Sequence, residues 1–306
     1  MSLALLCVVV FAWLFRPDAL TAMTVYPPFA WAIPGLLLAM LGAQWRLRRP
    51  GLYVAVAWLL ALLVLSEEPR SLVRSLLPQR PGGLIIVSMN CAGGSVEAAR
   101  RAFEREPDVI LLQESPALDQ IKALAREFYG SSGEAAAGRE SSVIVRGHVE
   151  SLKDGGFYTA ARVRFLRMFP LEVVSLRLQT PPVRFDLWNP EAWRVMRAHR
   201  MRQREQVREL NSYLDTVPGD VGIIVGGDFN AVQGDPAPGR LAPRLRDAFD
   251  TSGRGWGDTL LPGMPVVRID QIWLNRHFRP LSTTARDARG SDHRMVICRA
   301  ELAPPR

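Results

Sequence analysis

The chain has 306 residues, of which 48% are hydrophobic, with a formal net charge of +8 and three cysteines. That length suits one large domain plus an appendage, while the few cysteines exclude a disulfide framework and the absence of a repeat at a 20–50-residue period excludes a solenoid. Arginine supplies nearly all the positive charge, Lys122 and Lys153 being the only lysines, so the charge reads as a compositional skew and not as a nucleic-acid signal.

Three apolar segments open the chain, at residues 3–15, 29–45 and 52–65. A spanning helix needs about 20 apolar residues. The second segment reaches that length when residues 25–28 and the interfacial Trp45 are counted in, and the other two fall slightly short. Tyr26, Trp31, Trp45 and Tyr53 lie near segment ends, as in an interfacial aromatic belt. Residues 1–66 are therefore expected to be a transmembrane region of about three helices. One alternative is that the first segment is a cleaved signal peptide, but it lacks a basic leader and no Ala-x-Ala site follows it. Another is a buried helical hairpin, against which the segments show no polar face. The basic run Arg46-Leu47-Arg48-Arg49 is expected in the cytoplasm, which places the chain after residue 65 outside the cell membrane.

Residues 67–82, with Pro69, Pro78, Pro81 and Gly82, read as a juxtamembrane linker with a helical turn near 71–77. Residues 83–306 then form the main domain. Strands are expected at 84–89 and 108–112, separated by a helix over 96–105 that Ser95 caps. A helix over 116–128 follows, then a Gly/Ala/Ser loop at 130–138. Strands at 142–146, 157–165 and 171–178 precede an irregular loop at 179–191, a helix over 190–214, and strands at 221–225, 266–269 and 295–298. Strands alternating with helices around an antiparallel middle predict a four-layer α/β-sandwich, two packed mixed β-sheets flanked by helices. Cys91 and Cys298 read as two buried thiols in preference to a disulfide.

Polar side chains stand at the ends of five of these apolar runs: Asn90, Glu114, Asp228 with Asn230, Asp270, and Asp292 with His293. A run ending in a carboxylate or amide delivers it to the rim of a sheet, and hard oxygen ligands beside a histidine suggest a magnesium-dependent phosphoryl site, with manganese as the alternative metal. The ordered set Ser88-Met89-Asn90, Leu112-Gln113-Glu114, Gly227-Asp228-Phe229-Asn230, Arg268-Ile269-Asp270-Gln271-Ile272 and Gly290-Ser291-Asp292-His293 resembles the endonuclease/exonuclease/phosphatase superfamily, the deoxyribonuclease I-like fold. The resemblance does not reach the first 80 residues or so. It implies that Glu114 binds the metal, with Asn90 and Asp292 at the same site. It implies that Asp228 orients and deprotonates a water, assisted by Asn230, and that Asp270 holds His293 toward the scissile phosphate.

Arg177 departs from the family pattern, which often has a histidine there. Arginine does not donate a proton near neutral pH, but it can clamp a phosphate in bidentate fashion. Trp256 occupies a position that often packs near substrate in the family. In the helix over 190–214, Arg197, Arg200, Arg204 and Arg208 share one face, read first as solvated and otherwise as a contact for anionic headgroups or polyphosphate. The preferred expectation is a membrane-tethered phosphohydrolase or phosphodiesterase acting on a lipid-linked phosphate or pyrophosphate at the outer face. The alternatives are an extracytoplasmic nuclease and a catalytically silent binding module. The bilayer and a phosphate-containing substrate are the expected partners, and nothing in the sequence implies a protein partner.

Overall fold

The computed structural model describes residues 1–44, 48–165 and 170–303. Its N-terminal part comprises α1 (Ser2–Phe15), the short α2 (Thr21–Thr24), α3 (Pro28–Gln44) and α4 (Arg48–Leu65), with α1, α3 and α4 packed on one another. Gly35 lets them close: a Cβ there would meet the Trp58 ring at 2.2 Å. Ser2 Oγ donates to the Gly35 carbonyl at 2.6 Å and accepts from Trp58 Nε1 at 3.0 Å, so the polar groups buried at this crossing are satisfied.

Three straight spans do not form. No single helix among the described residues is long and apolar enough to cross a membrane. Two bent pairs reach that length and composition together, Asp18–Thr24 with Pro28–Gly42 at 78° and Arg49–Leu65 with Glu68–Ser75 at 65°. The first break falls at the Pro27-Pro28 pair, where the missing N–H groups and ring sterics stop a helix from continuing. Trp45 of the expected aromatic belt and Arg46-Leu47 of the basic loop lie outside the described residues.

The segment expected as a linker is docked on the domain. Within it, α5 (Glu68–Ser75) is held by Ser71 Oγ donating to the Gly255 carbonyl at 2.8 Å and Arg74 Nη2 donating to the Asp250 carbonyl at 2.7 Å. Just before it, Glu67 takes both arms of the buried Arg268 guanidinium, at 2.5 and 2.8 Å.

The domain itself runs β1 (Leu84–Asn90), α6 (Val96–Phe103), β2 (Val109–Gln113), α7 (Leu118–Tyr129), β3 (Glu134–Ala137), β4 (Ser141–Val145), β5 (His148–Asp154), β6 (Tyr158–Arg164), β7 (Leu171–Arg177), α8 (Pro190–Leu214), β8 (Gly222–Asp228), β9 (Leu245–Asp247), α9 (Ala248–Ser252), β10 (Asp270–Asn275), β11 (Phe278–Arg286) and β12 (Met295–Leu302). Two six-stranded sheets form, in the orders β11-β12-β1-β2-β4-β3 and β5-β6-β7-β8-β10-β9. Each is antiparallel except for one central parallel pair, β1 with β2 and β7 with β8. Ile86, Leu111, Val143, Val173 and Ile224 fill the space between the sheets. Ala99, Phe103, Ile121 and Leu124 of α6 and α7 cover the outer face of the first sheet, and Val207, Leu210 and Leu214 of α8 cover the second. This is the expected four-layer sandwich.

The strands missing from the sequence reading lie mainly at edges or in polar sequence. β5 is an edge strand whose residues are mostly exposed and polar, so it carries no apolar stripe. β3, also an edge, hides in an Ala-rich stretch. The strand expected at 266–269 begins instead at Asp270, because antiparallel pairing sets Asp270 opposite Asp228. Cys91 and Cys298 are free and buried.

The basic face of α8 is also not what the sequence suggested. Arg200 is 2% exposed, with Nη2 2.8 Å from Asp235 and donating to Thr24 Oγ1 at 2.5 Å. Arg204 reaches Asp18 at 2.6 Å. From the other side, Arg16 Nη2 donates to the Gln233 carbonyl at 3.0 Å. Two arginines expected in solvent thus bind the N-terminal segment to the domain.

Candidate active site

The site forms where the two parallel strand pairs end side by side. In register, Asn90 faces Gln113 at the end of the β1/β2 pair, and Arg177 faces Asp228 at the end of β7/β8. Glu114 follows directly on β2, Asp270 opens β10 opposite Asp228, and His293 stands just before β12.

Glycine makes the approach at Asp228 feasible. Gly227 has φ +152°, and a Cβ on it would lie 1.9 Å from the Leu176 carbonyl oxygen. Glu114 and Asn230 both adopt positive φ, 44° and 47°. Such conformations are strained for side chains other than glycine, and they persist where surrounding bonds impose them. Here Glu114 Oε2 accepts from the Gly93 N–H at 2.8 Å, and the Asn230 side chain donates to the Leu178 carbonyl and to Asp228 Oδ2, each at 3.0 Å.

Asn90 bridges the carboxylates. Its Nδ2 donates to Glu114 Oε1 at 3.2 Å and to Asp228 Oδ2 at 3.1 Å. Its own oxygen accepts the Ala92 N–H at 2.9 Å and keeps a second lone pair, so Asn90 organises Glu114 and Asp228 at the place expected for the metal.

Asp270, Asp228 and His293 converge, each offering one ligand-type atom within 4.8 Å of the others. His293 Nδ1 lies 2.8 Å from Asp270 Oδ2, and Asp270 Oδ1 is buried without a hydrogen-bond partner among the described residues. The Thr259 hydroxyl accepts the Ile269 and Asp270 N–H groups at 3.1 Å each, fixing the start of β10. Ser291 accepts the His293 N–H at 2.9 Å and donates to the Asn90 carbonyl at 2.7 Å, which ties the end of β1 to the approach to its neighbour β12. Asp292 is exposed beside this cluster.

The electrostatics separate the two partners. Burial, and then repulsion from Asp270, raise the Asp228 carboxyl to about 7. Burial opposes charge on His293, but the Asp270 carboxylate and its hydrogen bond, with Asp228 and Asp292, outweigh it and lift the imidazole to about 9. Burial thus disfavours charge on Asp228, while the surrounding carboxylates favour it on His293.

Arg177 enters this ring of acids. Its Nη2 lies 2.8 Å from Glu114, Nη1 3.5 Å from Glu140 and Nε 4.0 Å from Asp228, and Nε has no hydrogen-bond partner among the described residues. Glu140, absent from the sequence reading, reaches the rim through its carbonyl, which accepts the Glu114 N–H at 2.9 Å. Only the tertiary pairing of β2 with β4 reveals it. Trp256 stands apart: its indole donates to the Pro265 carbonyl at 3.1 Å and its ring lines a different cavity, whose lining shares no residue with this cluster.

Glu114, Asp228 and Asp270 give the hard oxygen donors that a divalent cation prefers, and the unpartnered Asp270 Oδ1 leaves one of them unsatisfied. The identity of such a metal does not follow from this donor set. His293, held cationic with Nδ1 on Asp270, suits an anion better than a metal.

The sandwich is shared with several solved structures. One is an endonuclease/exonuclease/phosphatase family protein from Bacteroides thetaiotaomicron, at 14% identity, 74% of this chain, 100% of that chain and TM-score 0.56. Another is the Bacteroides thetaiotaomicron mannosyl-6-phosphatase Bt3783, at 14% identity, 72% and 100% coverage and TM-score 0.55. A third is a humanized D. rerio TDP2, at 16% identity, 72% and 99% coverage and TM-score 0.53. At these identities the likeness shows the fold. No curated protein matches the sequence. The sequence profile of the Endonuclease/Exonuclease/phosphatase family matches residues 87–293, which runs from inside β1 to His293 and takes in every residue of the cluster just described. The chain belongs to that family.

Proposed function

We propose that this protein is a membrane-tethered, magnesium-dependent phosphohydrolase that cleaves a lipid-linked phosphate or pyrophosphate at the outer face of the membrane. Members of the family are typically metal-dependent hydrolases of phosphoester bonds, which supplies the reaction class. The observation that carries the reading is the convergence of Asp228, Asp270 and His293 within 4.8 Å, with His293 Nδ1 held on Asp270 at 2.8 Å.

In this reading Asp228 takes the proton of the attacking water and Asn230 holds the carboxylate in place. His293, oriented by Asp270, stabilises charge developing on the phosphoryl oxygens. Glu114, with Asp292 and the Asn90 bridge, would hold the cation, whose contribution is to polarise the phosphoryl group. Arg177 turns its Nε toward the same space and clamps a phosphate oxygen. An arginine in place of a proton donor suits a leaving group that needs little protonation, such as the phosphate of a pyrophosphate.

The membrane assignment rests on the N-terminal helices. Phe11 and Leu14 of α1, Leu37 and Met40 of α3, and Leu60 and Leu63 of α4 are all at least 50% exposed. A surface of that kind on three packed helices exceeds what a water-facing surface ordinarily carries. Leu6, Val9, Ala12 and Trp13 of α1 pack inward, and Arg16 bonds to the domain, which argues for a retained helix over a cleaved leader. The nuclease alternative loses support, because Arg200 and Arg204, which a nucleic-acid backbone would need, are engaged by Asp235 and Asp18.

Phosphate release by the purified full-length protein with magnesium tests the reading, across a polyprenyl pyrophosphate, a phospholipid, single- and double-stranded DNA and a generic diester. Turnover of the lipid substrate that Asp228→Ala and His293→Ala abolish is the expected result. DNA cleavage without lipid turnover would replace it with the nuclease. A reporter fused after Arg306 is expected to be active only outside the cytoplasm.

A further inference from the structure

A second cavity, of about 220 Å³, opens between the end of α5 and the edge strand β11. Arg254, Arg286, Arg294, Trp256, Ser75 and Gln79 are among the residues lining it, and no aspartate or glutamate is. Three guanidinium groups around a space without an acid form a site of concentrated positive charge that an anion neutralises.

The three arginines differ in how they are held. Arg294 is fixed by protein acceptors: Nε donates to Asp287, Nη1 to the Trp256 and Asp258 carbonyls, and Nη2 to the Ala285 carbonyl, at 2.8–3.1 Å. Its charge is paired with Asp287, so it fixes one wall of the cavity. Arg254 uses Nη2 on the Ser75 and Leu77 carbonyls at the end of α5, and its Nε and Nη1 donate to no protein atom among the described residues. Arg286, at the exposed end of β11, makes no side-chain hydrogen bond or ion pair among them. The open donors of Arg254 and Arg286, with the Thr284 hydroxyl and the Gln79 amide, suit the several oxygens of a phosphate group.

The surroundings indicate what carries that phosphate. Ser75 and Gln79 stand beside the exposed apolar side chains Leu72, Val73, Leu76 and Leu77, which are 47%, 62%, 84% and 59% exposed. α5 follows α4 after a 65° bend at residues 66–67, so the exposed apolar side chains of 72–77 come directly after those of α4 in the chain. A free phosphate needs only the cavity, whereas an anionic phospholipid uses both the cavity and the strip.

We propose that this cavity binds the phosphate headgroup of an anionic phospholipid, as a site separate from the catalytic centre, with the acyl chains lying along α5. The proposal shares with the functional reading only the presence of a bilayer, and it makes no use of catalysis.

The test uses the full-length protein in neutral detergent with a chelator present, so that no divalent cation loads the catalytic centre. Binding is titrated calorimetrically with dioctanoyl phosphatidylglycerol in one arm and inorganic phosphate in the other. Arg286→Glu is expected to weaken phosphatidylglycerol binding about tenfold or more, the loss of a charge-assisted contact, with an unchanged melting temperature because the exposed side chain makes no hydrogen bond or ion pair among the described residues. Leu76→Ser with Leu77→Ser is expected to weaken the lipid and leave inorganic phosphate unchanged. Equal lipid affinity in the wild type and Arg286→Glu would overturn the site, and inorganic phosphate binding as tightly as the lipid would overturn the lipid as its ligand. Neither readout depends on hydrolysis, so failure of the proposed activity leaves the test standing, and the reverse holds too.

Discussion

Arg177 and Arg268 have the same chemistry and opposite uses. Each lies among three carboxylates. Arg268 reaches Glu67 at 2.5 Å, Asp247 at 2.8 Å and Asp250 at 3.7 Å, and its side chain is 1% exposed. Arg177 reaches Glu114 at 2.8 Å, Glu140 at 3.5 Å and Asp228 at 4.0 Å, and is 29% exposed. In the first case one cation ties three acids together at short range away from water, and the result is an anchor between α5 and the domain. In the second the contacts loosen step by step toward Asp228, and the partly exposed group stays able to meet an incoming anion. Short contacts away from water mark structure here, and longer contacts on a partly exposed group mark the site.

The largest effect that would sharpen this contrast is at Asp228. Asp228→Asn removes the base on the open side and is expected to lower turnover by about 10²–10⁴. It also removes a buried carboxylate that burial and Asp270 disfavour, but sets an amide N–H against the Asn90 and Asn230 donors, so the melting temperature of the metal-free protein is expected to change little. A loss of folding instead of turnover would place Asp228 with the anchors.

Arg268→Ala probes the closed side. It strands Glu67 and Asp247 without their cation, and breaking a buried pair costs about 3–5 kcal/mol. A fall in melting temperature on the order of 10 °C is expected, with turnover per folded molecule nearly unchanged. Release of α5, read as faster amide exchange over residues 68–75, should accompany it. Unaltered stability would mean that the docking of α5 does not depend on this cluster.

Arg177→Lys is expected to act more weakly and in the other observable. It keeps the charge but loses the planar fork, and about a tenfold fall in kcat/KM is expected for a phosphate clamp. Stability should move by less than about 1 kcal/mol, since the side chain is partly exposed and its ion pairs are screened.

The catalytic half of the molecule was legible because each of its groups terminates or begins an apolar run, and a run of that kind is visible without a partner. Asn90, Glu114 and Asp228 come from strand ends, and the antiparallel pairing that sets Asp270 opposite Asp228 supplies the rest. The anchors were not legible, because their members meet only in the folded chain: Glu67 and Arg268 are 201 residues apart. For the same reason the arginines on one face of α8 looked solvated, although Arg200 and Arg204 face Thr24 and Asp18. Residues 67–82 have the prolines and glycines of a linker, and nothing local announces that Ser71 will bond to Gly255. Edge strands such as β5 fail for a different reason, since one exposed face and few neighbours leave them without a hydrophobic pattern to read.

The smallest effect expected is a graded one, in the pH dependence. Asp228 acts as a base only when ionised, and burial with Asp270 puts its midpoint near 7. Below that pH, turnover should fall about tenfold per unit as the carboxylate takes up its proton. His293 acts as a cation, and Asp270, Asp228 and Asp292 hold it protonated to about 9 against the cost of burial. Above 9 it becomes neutral and turnover should fall again. The profile is therefore a plateau between two limbs, read from kcat/KM at saturating magnesium, where a cation beside Asp228 and Asp270 moves both limbs below their metal-free positions. Asp270→Asn removes the carboxylate that raises His293 and also the one that, after burial, raises Asp228, so both limbs should move to lower pH together. Movement of the alkaline limb alone would mean that Asp228 is raised by burial without Asp270, and that the acid and the histidine are tuned separately.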